Sequence, residues 1–165
     1  MKKLLMPALI TVIIIQLFVP ASGVINKYIV LETGEEYKFR VNPVDPYDAF
    51  RGRYVSLNSR QEVRGDGRYG MIAVDADGFA YISLITDEKP VSGAYVKSNE
   101  RYWFSLPIDR YYMDEKLAPK AETRTRNREP GEETYVTVRV KNGALVISGL
   151  YIDGIAIEDI IRVEE

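Results

Sequence analysis

Hydrophobic and polar positions along the chain fall into two regimes. From Leu4 to Asn26 no charged residue occurs, and Lys2 and Lys3 precede the run while Lys27 closes it. As a helix rising about 1.5 Å per residue, such a run reaches across a hydrocarbon core of roughly 30 Å. Beyond Lys27 the period changes from helical to twofold. In Glu35 to Val41, Tyr37, Phe39 and Val41 alternate with Glu36, Lys38 and Arg40, the signature of a strand with one buried face. Asp75-Ala76-Asp77-Gly78 separates two apolar runs and predicts a hairpin, and Ser98-Asn99-Glu100 predicts a second strand pair on either side of it. Near the C-terminus Asn142-Gly143 and Asp153-Gly154 each sit between β-branched runs. Type I′ turns need positive φ at both central residues, which Asn-Gly and Asp-Gly tolerate best, so a meander is expected there. Asp109 to Asn127 departs from this pattern. It predicts one short helix capped by Asp114, with Leu117, Ala118 and Ala121 on one face and Pro119 in the first turn. The charge-dense stretch after it, punctuated by Pro130-Gly131, reads as an exposed mobile loop.

The predicted fold class is mainly β (α+β): an N-terminal membrane helix followed by an antiparallel β domain with one short helix. Residues 1–27 form the anchor or signal segment, and residues 28–165 form the β-rich domain. Ala21-Ser22-Gly23 supplies the small residues of a cleavage site, with Pro20 ending an apolar core before it. The length of the run and its resumption at Val24-Ile25 favour an uncleaved anchor. Under either reading Lys2 and Lys3 hold the N-terminus in the cytoplasm, so the domain is expected outside it, and with the uncleaved anchor the protein is expected to be a single-pass cytoplasmic-membrane protein.

Composition narrows the chemistry. With 165 residues the chain suits one domain, and a net charge of -2 gives no bulk attraction for nucleic acid. There is no cysteine and no histidine, which removes disulfides, thiolate or imidazole metal sites and histidine-based triads. No cofactor is called for. Asp75-Ala76-Asp77-Gly78 looks like a fragment of a calcium loop but lacks the later ligands and the closing Glu.

The densest motif is "DPYDAFRGRYVSL", followed well downstream by "DRYYMDEKLAPKAE" and then "LYIDG". These segments resemble the GDYXXLXY family of membrane-anchored bacterial proteins of uncharacterised function. Gly52, Tyr54 and Leu57 match the signature, while Arg53 stands in place of its Asp and Ser59 in place of its last Tyr. The resemblance implies a location, and a role as an accessory subunit beside an integral-membrane partner; it implies no reaction.

Read from the residues, Pro43 and Pro46 constrain the path into Arg51-Gly52, and Gly52 bends the chain into the following strand. Asp45, Asp48, Arg51, Gly52, Tyr54, Arg110, Tyr111 and Tyr112 form the candidate cluster. In its structural role, Asp45 and Asp48 cap turns, Arg51 satisfies them and the tyrosines close one end of the sheet. In its binding role, Arg51, Arg53 and Arg110 with Tyr54, Tyr111 and Tyr112 line a groove for an anionic or carboxylate-bearing partner. Catalytic readings are weaker. An outward-facing hydrolase could use carboxylates or a Ser/Lys pair drawn from Ser56, Ser59, Ser98, Lys97 and Lys116, yet no segment has the helix-borne Ser-x-x-Lys spacing. A non-enzymatic, membrane-anchored binding or accessory domain is therefore the leading expectation.

Overall fold

A computed structural model describes residues 2–43, 54–59, 61, 65–100, 104–127, 129 and 131–163. The first element is a single helix, α1 (Lys2–Thr33), which contains the apolar run and continues six residues past the expected boundary at 27. Lys27 lies exposed on this helix, and nothing after it breaks the backbone until Gly34. There the N–H of Gly34 bonds to the Val30 carbonyl at 2.8 Å, and β1 (Glu35–Pro43) starts at once. Pro20 lies inside the helix and does not end it. Its fixed φ is helical, so the cost is one missing ladder bond, and the Ser22 hydroxyl donates to the Val19 carbonyl beside it at 2.7 Å.

The strands that follow are β2 (Tyr54–Ser59), β3 (Tyr69–Val74), β4 (Ala80–Thr86), β5 (Tyr95–Lys97), β6 (Arg110–Tyr112), β7 (Thr134–Lys141), β8 (Ala144–Ile152) and β9 (Ile155–Ala156). They form a six-stranded antiparallel sheet in the order β6-β2-β1-β7-β8-β9 and a three-stranded sheet in the order β4-β3-β5. Two short helices complete the domain, α2 (Ala118–Arg126) and α3 (Ile157–Val163). The fold is thus mainly β with some α, as expected, with one more short helix than the pattern suggested.

The alternation in β1 is realised: Phe39 and Val41 are buried, and Glu36 and Lys38 are exposed. Their buried faces join Val55, Leu57, Val136, Val138, Leu150 and Ile152 from the same sheet, Ile82 and Val96 from the smaller sheet, Ala121 from α2, and Ile157 and Ile161 from α3. Fully burying a side chain of this size contributes on the order of 1.5–3 kcal/mol, so this shared core is what joins the two sheets. Both predicted I′ turns form. Asn142 and Gly143 have φ of 52 and 82, Asp153 and Gly154 have φ of 48 and 86, and the strands on either side pair antiparallel.

Four expectations need correction. The second arm of the last hairpin is two residues long, because Ile157, Ile160 and Ile161 recur at helical spacing and Glu158 and Asp159 favour the N-terminal turn of α3. The strand β5 pairs with β3, and none of the described residues 104–112 pairs with it across Ser98-Asn99-Glu100; residues 101–103 of the expected partner strand lie outside the described residues. The Ser98 hydroxyl instead accepts the N–H groups of Glu100 at 3.1 Å and Ser105 at 3.0 Å. Asp114 caps the turn before α2, accepting the N–H of Lys116 at 2.8 Å, and Pro119 occupies the first turn of the helix itself. Finally, α2 extends to Arg126, and Arg124 forms a two-pronged pair with Glu132, at 3.0 Å for one prong, with both side chains largely shielded. Glu132, within the stretch expected to be a mobile loop, is therefore tied back to the helix.

Candidate functional site

The two segments that carry the sequence motif meet. In the β2–β6 pair, Tyr54 lies opposite Tyr112, Val55 opposite Tyr111 and Ser56 opposite Arg110. Because side chains alternate along a strand, Tyr54, Ser56, Arg110 and Tyr112 share the outer face and Val55 and Tyr111 the inner one. On the outer face the Tyr54 and Tyr112 rings lie 5.8 Å apart at 59°, and the Arg110 guanidinium sits 5.3 Å from the Tyr54 ring. Arg110 also pairs with Asp109 at 3.4 Å. Tyr112 is 65% exposed, whereas Tyr54 and Tyr111 are half-buried. On the inner face the Tyr111 hydroxyl donates to Glu158 of α3 at 2.5 Å; burial, and then that carboxylate, push its pKa well above the usual tyrosine value. Asp45, Asp48, Arg51 and Gly52, with Arg53, lie outside the described residues.

Arg110, Tyr111 and Tyr112 also line a cleft of about 980 Å³. Its other walls are the last turns of α1 at Asn26, Lys27 and Val30, the β5 end at Lys97, Ser98, Asn99 and Glu100, and the start of β8 at Ala144, Leu145, Val146 and Ile147. Backbone bonds hold these walls together. The N–H of Lys97 bonds to the Gly143 carbonyl at 2.8 Å, and that of Ser98 to the carbonyl of Arg68, another lining residue, at 2.8 Å. On the helix side, Val30 is buried at 6%, the Lys141 ammonium donates to the Thr33 hydroxyl at 2.6 Å, and the Arg139 guanidinium donates to the Gly34 carbonyl at 3.1 Å. The cleft has basic walls, from Lys27, Arg68, Lys97 and Arg110, against the two carboxylates Glu100 and Asp109. Of its Ser/Lys neighbours, Lys97 is exposed, and the Ser98 hydroxyl accepts two N–H groups from its own loop.

A second polar constellation lies on the solvent face of β1. Arg40 pairs with Asp75 at 2.6 Å, Glu133 at 2.7 Å and Asp77 at 3.1 Å, and its guanidinium covers the Phe79 ring at 3.8 Å. Asp75 also accepts the N–H groups of Asp77 and Phe79, at 3.0 and 2.8 Å. The calcium-like fragment is thus a hairpin turn clamped onto the larger sheet by an arginine. Among the described residues no group of carboxylates is placed to hold a metal ion.

Sequence reasoning found Arg110 and the tyrosines, named Lys97 only as half of a Ser/Lys pair and not as part of this cleft, and missed Lys27 and Arg68. Lys27 had a signal, being the first charge after the apolar run. Arg68 and Lys97 carry none, because only the β3–β5 pairing and the 142–143 turn bring them to the helix end. Arg40 was read as an ordinary solvent-facing residue for the same reason: its three partners come from two distant loops.

No curated protein and no solved structure matches the chain. The family model described as GDYXXLXY protein matches residues 16–150, from the second half of α1 through most of β8. That match spans the signature strand β2, the paired strand β6 and all of the cleft's walls, and the chain therefore belongs to the GDYXXLXY family.

Proposed function

We propose that the protein is a membrane-anchored binding or accessory domain, held outside the cytoplasm, that works through the cleft at the end of its anchor, beside an integral-membrane partner. One observation carries this reading. The helix apolar enough to cross a membrane passes without a linker into the sheet and supplies one wall of the cleft itself. Beyond the candidate cleavage site at Ala21-Ser22-Gly23 the same helix runs on into the domain, where Val30 is buried and Thr33 and Gly34 are bonded to β7 side chains. The length of the uncharged run before that site favours an uncleaved anchor. Lys2 and Lys3 before the run favour a cytoplasmic N-terminus, which puts the domain on the other side. The exposed Tyr112 and Arg110 beside the cleft are residue types enriched at binding surfaces. The hydrolase alternative lacks an observation in its favour, since its nearest serine serves its own loop.

The test is in two parts. Protease added to intact spheroplasts should degrade the domain while the helix stays in the alkali-washed membrane fraction. From detergent extracts, the tagged protein should co-purify a membrane protein, and Tyr112→Ala should lower its recovery without changing the melting temperature. A protected domain, or a fully soluble one, would sink the reading.

A further inference from the structure

We propose that the cleft binds the phosphate of an anionic phospholipid headgroup, an inference that rests on the anchored reading and names the ligand of that same site. The depth of the cleft is set by the helix. The uncharged run ends at Asn26, and as a helix from Leu4 it is roughly 35 Å long, enough to use up the hydrocarbon core. Lys27, the next residue, therefore lies at headgroup level, and Lys27 is a wall of the cleft. The rest of the basic lining is assembled at the same height by backbone bonds: Lys97 through the Gly143 carbonyl, and Arg68 through the N–H of Ser98.

The charge there is available. Asp109 is engaged by Arg110, whereas Lys27, Arg68 and Lys97 make no side-chain ion pair with the described residues. Against the one remaining carboxylate of the lining, Glu100, these three cations leave the cleft net positive in a chain of net charge -2, at the level where lipid phosphates are found. Beside these cations the cleft carries Val30, Leu145, Val146 and Ile147, an apolar wall suited to the glycerol and first acyl carbons. A volume of about 980 Å³ accommodates a headgroup with the start of its chains. Ammonium and guanidinium groups suit a phosphate, and a polybasic surface close to a bilayer gains affinity for anionic lipid with each cation it presents.

The full chain, purified in a neutral detergent, is titrated with short-chain phosphatidylglycerol, with short-chain phosphatidylcholine and with inorganic phosphate. Phosphatidylglycerol is expected to bind at least tenfold more tightly than either of the others. Lys27→Gln and Lys97→Gln should each weaken it about fivefold, whereas Lys89→Gln, an exposed lysine outside the cleft, should not. Equal binding of the two lipids overturns the proposal, as does a Lys27→Gln/Lys97→Gln protein that binds like the parent. Inorganic phosphate binding as tightly as phosphatidylglycerol would make this a site for a soluble anion and likewise overturn it. Membrane retention of the same preparations is scored separately: loss of retention defeats the anchored reading, while retained protein without lipid preference defeats only the lipid assignment.

Discussion

Tyr111 and Tyr112 are sequence neighbours with opposite duties, because β6 turns one into the core and the other out. Tyr111→Phe removes the bond to Glu158 and leaves that carboxylate half-buried without its donor, so a loss of about 1–2 kcal/mol is expected in denaturant melts. Tyr112→Ala, at a position 65% exposed, should stay within about 0.5 kcal/mol of the parent. Equal losses at the two positions would contradict the facing deduced from the strand register. Asp75 offers a test by pH. The N–H of Phe79, and then the Arg40 guanidinium, hold its carboxyl below the ordinary value. A carboxyl that is more acidic folded than unfolded supports the fold above about pH 4, and that support is lost as the pH falls through its lowered value. The melting temperature should therefore drop between pH 5 and pH 3 by less in Asp75→Asn than in the parent; identical drops would remove Asp75 from the account. The sequence hid this role, since "DADG" reads as a turn in any context, and Arg40 is identified as its clamp only once β1 and the β3–β4 turn are in contact.

Among the elements, those defined by local rules were legible and those defined by partners were not. The Asn142-Gly143 and Asp153-Gly154 turns could be read directly, because few residues adopt positive φ twice in succession without strain. The twofold pattern of β1 was equally plain. In contrast, Ile157 to Val163 satisfies both a β-branched run and a helical stripe, and its docking against α2 and β8 decides for the helix. The pairing of β5 with β3 could not be seen either, since periodicity tells which face is buried but not which strand lies alongside. The candidate cluster was half legible on the same grounds. Shared aromatics and opposite charges suggested that Tyr54 and Arg110 to Tyr112 meet, and β2–β6 pairing brings them together, but nothing local placed the α1 end beside them. That junction is itself testable. A Cβ on Gly34 would lie 2.5 Å from the Val30 carbonyl oxygen and 3.0 Å from the Val140 nitrogen, both backbone atoms that cannot swing away. Gly34→Ala should lower stability in detergent by about 1–3 kcal/mol. A melt superimposable on the parent's would mean that the helix and sheet are less firmly joined than their bonds imply.

At the level of the whole molecule, the helix, the two sheets and the cleft form one continuous body, with the helix end braced by Arg139 and Lys141. Inserting ten Gly/Ser residues after Thr33 adds a flexible span of roughly 17 Å. The sheet core should keep its melting temperature to within a few degrees, because only Val30 leaves it, while preference for phosphatidylglycerol should vanish as Lys27 parts from Lys97. Retained preference in that insertion protein would show that the α1 wall of the cleft is dispensable. The absence of slack at Thr33-Gly34-Glu35 has a geometric consequence of its own. A domain on a loose leash samples a hemisphere and meets whatever diffuses through the space above the bilayer. On the anchored reading proposed above, this one has only spin about the membrane normal and lateral drift, so its search runs in two dimensions and its cleft rides at a constant altitude. Height then becomes a selectivity filter: molecules of suitable chemistry that ride higher or lower than the cleft do not meet it, and those confined to the same layer meet it at the high local concentration of a surface.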